Sequence, residues 1–140
     1  MSALPEGYEL TEFADPVAAH AYLSRSYWSP GIPLPTVERA IANSLCVAVF
    51  HGGQQVAMAR LLTDFATHAY LADVYVLEEH RGKGLSKAML AHLQARPDLQ
   101  GLRRWMLFTR DAHALFEQFG WVGTQHPVRL MLRENPDAFA

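Results

Sequence analysis

The sequence has little cysteine, no long apolar run and almost no excess charge. One cysteine, Cys46, is present among 140 residues, which excludes an internal disulfide. No apolar stretch approaches the roughly 18 residues that a membrane-spanning helix needs. The 12 basic and 14 acidic residues give a net charge of −2, with no broad basic field. Nucleic acid and membrane are therefore not expected partners.

What is present suits a small folded domain. Half of the residues are apolar and 11% are aromatic, which is enough to bury one core. The length predicts a single domain over residues 1–140. The first residues, MSALPEG, lack the basic start and apolar centre of a secretory signal, so we expect a cytoplasmic protein. Cys46 lies in an apolar run, which predicts a buried and inert thiol.

Periodicity and turn residues predict an α/β chain. Asp15 followed by Pro16 is typical of a helix start, and the paired glycines of residues 51–54 (HGGQ) indicate a hairpin. A right-handed parallel strand–helix–strand unit is expected over residues 68–109. The predicted strands are residues 8–11, 45–51, 55–63, 68–77, 105–109 and 128–132, and the predicted helices are residues 15–27, 36–43, 85–95 and 111–119.

The junction between the third long strand and its helix has the composition of an anion site. It reads Arg81, Gly82, Lys83, Gly84, Leu85 and Ser86. Two glycines allow a tight turn and a close approach to a ligand. Free N–H groups and the helix dipole then favour a pyrophosphate, to which the two cations and the hydroxyl can add. The alternative is an ordinary strand-to-helix turn. The pattern is neither a P-loop nor a dinucleotide fingerprint.

Two stretches carry a family resemblance. Residues 74–86 (VYVLEEHRGKGLS) resemble motif A of the GNAT acetyltransferases, and residues 111–121 (DAHALFEQFGW) resemble their motif B. The resemblance spans roughly residues 45–132. It implies a single-domain GNAT fold, with a mixed and mostly antiparallel sheet, splayed central parallel strands and flanking helices. It also implies acetyl-CoA as cosubstrate and no metal.

The resemblance places roles on particular residues. The pantetheine arm is expected along Val74, Tyr75 and Val76, with the Val76 N–H donating to the thioester oxygen. Thr109, at the end of the next parallel strand, is a candidate contact for the cofactor, and capping of the strand is its alternative. Family members often carry a tyrosine as general acid in motif B, but here the position is Phe116. A water or another hydroxyl could replace it, the thiolate could leave unassisted, or turnover could be impaired.

The general base stays open between several groups. Asp73 is the first candidate because a carboxylate among apolar strand residues is partly desolvated. Its alternative is a surface ion pair with an arginine such as Arg60 or Arg110. His68 and His113 are further candidates for the base, and a water chain would need no single residue.

The acceptor pocket is expected near the loop between the first two helices. Tyr27 and Trp28 are the candidates for its wall, and packing of this loop onto the core is the alternative. The sequence thus predicts an acetyl-CoA-dependent N-acetyltransferase that acts on a primary amine of a small molecule or peptide in a ternary complex. An acyl-CoA-binding sensor with little turnover is the alternative. A homodimer is possible.

Overall fold

The computed structural model describes residues 4–139. A mixed sheet of five strands is flanked by helices, which confirms the predicted fold class. Strands β1 to β4 are antiparallel neighbours in chain order, and β5 is parallel to β4. The strands are β1 (Tyr8–Thr11), β2 (Leu45–His51), β3 (Gln54–Thr63), β4 (His68–Val76) and β5 (Arg104–Leu107); the helices are α1 (Pro16–Leu23), α2 (Leu34–Ala42), α3 (Leu85–Gln94) and α4 (His113–Glu117).

The sheet separates two apolar clusters. The larger cluster packs α3 on one face, where Met89, Leu90 and Leu93 are at most 1% exposed. The smaller cluster contains residues of α1 and α2 together with Tyr75. None of the helices described in residues 4–139 is both long and apolar enough to cross a membrane.

An irregularity in β4 sets the position of the site. Ala72 is opposite Arg60 and Tyr75 is opposite Met58, so Asp73 and Val74 together face a single β3 residue. This is a β-bulge, and Asp73 has the positive φ of 50° that such a position can require. Pairing with β5 ends at Leu71, directly before the bulge. Beyond it, β4 continues to Val76 with no partner on its β5 side among the described residues.

Most predicted elements are confirmed, with shifted ends. The predicted first helix extends to Tyr27, but the helix ends at Leu23. The Ser26 hydroxyl donates to the Leu23 carbonyl at 2.7 Å, and Ser29 N–H donates to Ser26 Oγ at 3.1 Å. These local side-chain bonds compete with further helical bonds. The second helix begins at Leu34 after Pro33 rather than with a Thr36 cap, because proline fits the first helical turn.

The C-terminal half departs further from prediction. The fifth strand stops at Leu107 instead of residue 109, and the last helix covers only His113–Glu117. The Thr109 hydroxyl accepts the Ala112 N–H at 3.0 Å, which turns the chain before α4. The predicted strand at residues 128–132 is wrong: Pro127–Arg129 form a short 3-10 turn and residues 130–132 pair with no strand in the described chain.

Candidate active site

A cavity of about 1360 Å³ opens where β4 and β5 stop pairing. It brings together the residues predicted for the cofactor, for catalysis and for the acceptor. Lys83 is the exception, because its side chain does not line the cavity. The predicted residues that line it are Tyr27, Trp28, Asp73, Val74, Tyr75, Val76, Arg81, Gly82, Gly84, Leu85, Ser86, Thr109 and Phe116.

The glycine loop has the geometry of an anion cradle. Gly82 and Gly84 both have a φ of +77°, and an added Cβ would meet nothing within 4 Å at either position. The backbone N–H groups of residues 82–84 donate to no acceptor within residues 4–139. Gly84 is the N-cap of α3, so the positive end of that helix faces the same place. These features fit a pyrophosphate.

The cations around the loop have two different roles. Arg81 connects β4 with α1, because its Nε donates to the Val76 carbonyl at 3.0 Å and its Nη2 donates to the Tyr22 hydroxyl at 3.1 Å. Lys87, in the first turn of α3, lines the cavity, whereas Lys83 does not. Sequence reasoning missed Lys87, although a lysine in the first turn of the motif A helix is a readable signal.

The open edge of β4 presents backbone groups to the cavity. The Leu77 N–H donates to the Val56 carbonyl on β3 at 2.8 Å. Successive N–H groups of a strand point to opposite edges, so the Val76 N–H is directed away from β3. The Tyr75 side chain is instead part of the core. It is 3% exposed, its hydroxyl accepts from Gln55 at 3.1 Å, and burial raises its pKa to about 12.

Asp73 joins the sheet to the loop after α1 that carries Tyr27 and Trp28, called the aromatic loop below. Its Oδ2 accepts from Arg60 Nε at 2.8 Å, and its Oδ1 accepts from Trp28 Nε1 at 2.8 Å. Only 10% of the Asp73 side chain and 16% of the Arg60 side chain are exposed. Both carboxylate oxygens are therefore engaged, which matches the ion-pair alternative for Asp73 more closely than a base with a free oxygen.

Tyr27 and Trp28 form part of the wall of the cavity. Their rings meet edge to face with centroids 5.0 Å apart, and the Arg110 guanidinium lies 3.8 Å from the centre of the Tyr27 ring. Both rings remain partly exposed, at 49% and 37%. The loop is thus tied to the core through the Trp28 N–H, while both side chains border the cavity and stay partly exposed.

Comparison with known proteins decides the family. A family profile described as Acetyltransferase (GNAT) family matches residues 8–121. The chain belongs to the GNAT acetyltransferase family. A crystal structure of a GNAT-family candidate acetyltransferase from Xanthomonas campestris pv. campestris is 44% identical, with a TM-score of 0.91 over 99% of both chains.

More distant similarities agree with this assignment. A candidate acetyltransferase of Gibberella zeae is 32% identical in an alignment 111 positions long that covers 64% of this chain and 62% of that protein, so the match spans less than two thirds of the fungal protein. The Arabidopsis thaliana glucosamine-6-phosphate N-acetyltransferase shares the fold at 12% identity, with a TM-score of 0.69 over 94% of this chain and 100% of that one. GNAT acetyltransferases use acetyl-CoA as cosubstrate.

Phe116 and Thr109 take largely structural positions in this GNAT site. Phe116 is 7% exposed and its ring lies 5.8 Å from that of Trp121. The Thr109 hydroxyl accepts the Ala112 N–H, as the capping alternative for this residue requires. Both still border the cavity.

A hydroxyl that sequence reasoning missed belongs to Tyr70. It lies on β4, lines the cavity, and its ring meets Phe108 edge to face at 6.0 Å. Burial, with the Asp73 charge adding to it, raises the pKa of Tyr70, so this acetyltransferase keeps a neutral phenol in the site. Its position in a strand of alternating polarity gave no signal. His68 and His113, the other base candidates, do not line the cavity.

The remaining sequence expectations concern sulfur and metal. Cys46 is 5% exposed, and burial raises the pKa of its thiol to about 11, in agreement with the predicted inert thiol. Within residues 4–139, no cluster of three or more His, Cys, Asp or Glu side chains has the geometry of a metal site.

Proposed function

We propose that this GNAT protein is an acetyl-CoA-dependent N-acetyltransferase that passes the acetyl group directly to a primary amine while both are bound. One observation carries the proposal: the glycine loop, the aromatic loop and the free part of β4 border the same cavity. A direct transfer requires both partners to be held in contact at once. No cysteine is among the described residues that line this cavity.

The glycine loop and α3 are the proposed cofactor holders. The free N–H groups of residues 82–84 and the Lys87 ammonium would receive the pyrophosphate, and the β4 backbone at Val74 and Val76 would receive the pantetheine arm. When bound, acetyl-CoA supplies an activated thioester. The Val76 N–H, directed away from β3, is proposed to donate to the thioester oxygen as negative charge develops there.

The acceptor is proposed to lie between the aromatic loop and β4. As the amine nitrogen forms its bond to the acetyl carbon, the carbon–sulfur bond breaks and the amine loses a proton to water. Asp73 is proposed as a positioning residue that holds Trp28, since both of its oxygens are already bonded. Tyr70 is proposed to give a proton or a hydrogen bond to the leaving thiolate, in place of the tyrosine absent at position 116.

The first experiment is calorimetric titration of the purified protein with acetyl-CoA, followed by a screen for CoA release over a panel of primary amines. We expect binding, and CoA release with at least one amine together with an acetylated product of the correct mass. Binding of acetyl-CoA without an acetylated product from any amine would contradict the proposed enzymatic activity and favour the acyl-CoA sensor. Absence of binding would contradict both.

The acyl-CoA sensor is the second candidate because one observation favours it. Phe116 is buried against Trp121 and offers no proton at a position where GNAT enzymes often carry tyrosine. A sensor would bind the cofactor through the same loop but release no CoA above the rate of spontaneous hydrolysis. Comparing CoA release with and without amine separates the two functions.

A further inference from the structure

Two arginines at the cavity lie against tyrosine rings. The Arg25 guanidinium lies 4.5 Å from the centre of the Tyr22 ring, and the Arg110 guanidinium lies 3.8 Å from the centre of the Tyr27 ring. All four residues line the cavity. Attraction between a cation and an aromatic face needs no hydrogen bond, so the N–H donors of each guanidinium remain available for an anion.

The first of these pairs has bound an anion from the chain itself. Arg25 Nη1 donates to Glu78 Oε2 at 2.8 Å, and Arg25 Nη2 donates to Glu78 Oε1 at 3.0 Å. Two parallel hydrogen bonds to one carboxylate are the geometry in which a guanidinium recognises its partner most specifically. Arg25, Tyr22 and Glu78 are thus a complete example of a carboxylate held by an arginine that a tyrosine supports.

The second pair has the same support and lacks the carboxylate. The Arg110 side chain forms no ion pair within residues 4–139. The other arginines that line the cavity already donate to oxygens of the protein; they are Arg25, Arg60 and Arg81. A guanidinium that is held at a cavity wall with its donors unpaired favours an anionic ligand.

We propose that Arg110 binds a carboxylate of the acceptor, and that the acceptor is therefore a free amino acid. The inference rests on the proposed acetyl transfer to a primary amine and narrows it to one substrate class. Tyr27 supports the guanidinium, and the ring of Trp28, 5.0 Å from that of Tyr27, borders the same cavity. A carboxylate fixed at Arg110 reduces the freedom of the amine in the same molecule, which favours its reaction.

The charges of the cavity fit a zwitterion. Asp111 and Glu134 also line it, and neither forms an ion pair within the described part of the chain. At neutral pH a free amino acid carries one ammonium and one carboxylate. The two acidic side chains attract the ammonium, and Arg110 attracts the carboxylate. An amine without an acid group would leave the guanidinium unpaired, and an acceptor with only negative charge would be repelled by both acids.

The test compares each common L-amino acid with its carboxamide, which keeps the amine and the side chain and removes the negative charge. Release of CoA and the mass of the product are the two readouts. We expect kcat/KM to be about 10- to 100-fold higher for the acid, because hydrogen bonds to charged groups contribute on that scale. Carboxamides that are used as well as the acids would overturn the proposal.

Arg110→Gln removes the charge and should abolish this preference. The variant should lose about 10- to 100-fold in kcat/KM for the acids and change little for the carboxamides. Comparing the two proteins on the same substrates cancels the difference in amine basicity between acid and carboxamide. Arg110→Lys should keep part of the preference, since it retains the charge without the planar fork.

The matched control is Arg103→Gln, at an exposed arginine that does not line the cavity and forms no ion pair within residues 4–139. This variant should keep the full preference for the acids. An Arg110→Gln variant that loses equal activity on acids and carboxamides would overturn the proposal, because its defect would not concern the carboxylate.

Calorimetric titration of the CoA-saturated protein with the same amino acids separates this inference from the proposed function. Binding that Arg110→Gln abolishes, with no acetylated product, would support the Arg110 site and contradict the N-acetyltransferase. Acetylation of amines without preference for a carboxylate would support the enzyme and overturn the Arg110 site. A natural protein that neither binds nor acetylates any amino acid would overturn the Arg110 site as well.

Discussion

The two sides of the cavity are built in different ways. One side, called the cofactor side after its proposed ligand, uses one continuous stretch, residues 74–87, and offers mainly backbone groups. The other, called the acceptor side for the same reason, joins side chains that are far apart in sequence, such as Trp28 with Asp73, 45 residues away. A backbone site follows from glycine spacing and a helix start, whereas a side-chain site depends on the complete fold. The first is consequently readable in a sequence and the second is not.

The largest loss of CoA binding is expected for Gly84→Glu. The substitution adds bulk and negative charge at the N-cap of α3, where the φ of +77° already disfavours other residues. We expect CoA affinity to fall about 100-fold or more by calorimetry, since phosphate contacts are charge-assisted. Gly101→Glu is the control: its φ is +80° and an added Cβ has equal space, but it does not line the cavity. Similar CoA affinity in the two variants would contradict the cofactor site.

Tyr70→Phe tests the chemistry between the two sides. The variant keeps the ring that meets Phe108 and removes only the hydroxyl. We expect kcat to fall by about 100-fold, the lower end of the range for loss of a proton donor, with CoA affinity unchanged. If the variant releases CoA at the rate of the natural protein, Tyr70 takes no part in the reaction.

Asp73→Asn sharpens the acceptor side. The substitution leaves Arg60 without its carboxylate and weakens the bond to Trp28. We expect KM for the amine to rise about tenfold, lower thermal stability, and an unchanged shape of the profile of kcat/KM against pH. A flattened pH profile would instead identify Asp73 as the base. Asp98→Asn, which breaks an exposed arginine pair outside the cavity, should leave kinetics intact.

A smaller effect is expected for Phe116→Tyr. The new hydroxyl would be placed on a ring that is 7% exposed and borders the cavity. If Tyr70 already serves the leaving thiolate, kcat should change by less than about tenfold. A gain well above tenfold, measured by CoA release, would show that the natural protein lacks a proton donor and would favour the sensor.

The smallest effect concerns stability at alkaline pH. Burial raises the pKa of Cys46 to about 11, above its usual value of 9.0, so the folded chain retains the thiol proton longer than the unfolded chain. The contribution of the thiol to the free energy of unfolding should therefore be fully present below pH 9 and decline between pH 9 and about 11. Cys46→Ala should flatten this decline in denaturant titrations and leave CoA binding unchanged. A slope identical to that of the natural protein would exclude the thiol as its cause.

The sequence predicted the order of the elements through β5 and the turn at Gly82 and Gly84, because both depend on local periodicity and glycine spacing. It did not predict that α1 stops at Leu23, where serine hydroxyls replace helical bonds. It also predicted a strand at residues 128–132 from apolar content alone. Strand formation needs an available neighbour as well as a suitable segment, and residues 130–132 pair with no strand in the described chain.

The acceptor side shows the same limit in another form. The sequence analysis proposes Tyr27, Trp28 and Asp73 for the site, but it does not predict the hydrogen bond between Trp28 and Asp73. The bond between Trp28 and Asp73 depends on a loop closing over a strand bulge, which no short window of sequence contains. Arg60 was considered only as one of several possible partners, and the structure places it 2.8 Å from Asp73.

The bulge determines how β4 would respond to the loss of one residue. Ala69 and Leu71 face the α3 cluster before the bulge, and Val74 and Val76 face it afterwards, so the facing residues change from odd to even numbers at Asp73. Without Asp73, Val74 would follow Ala72 directly, and the side chains would alternate regularly from Leu71 to Val76. Tyr75 would stay opposite Met58 and on the side of Tyr22, its stacking partner at 4.3 Å. Asp73 is therefore the extra residue of β4: its loss would remove the bulge and the bonds to Arg60 and Trp28, while the later side chains of the strand would keep their faces.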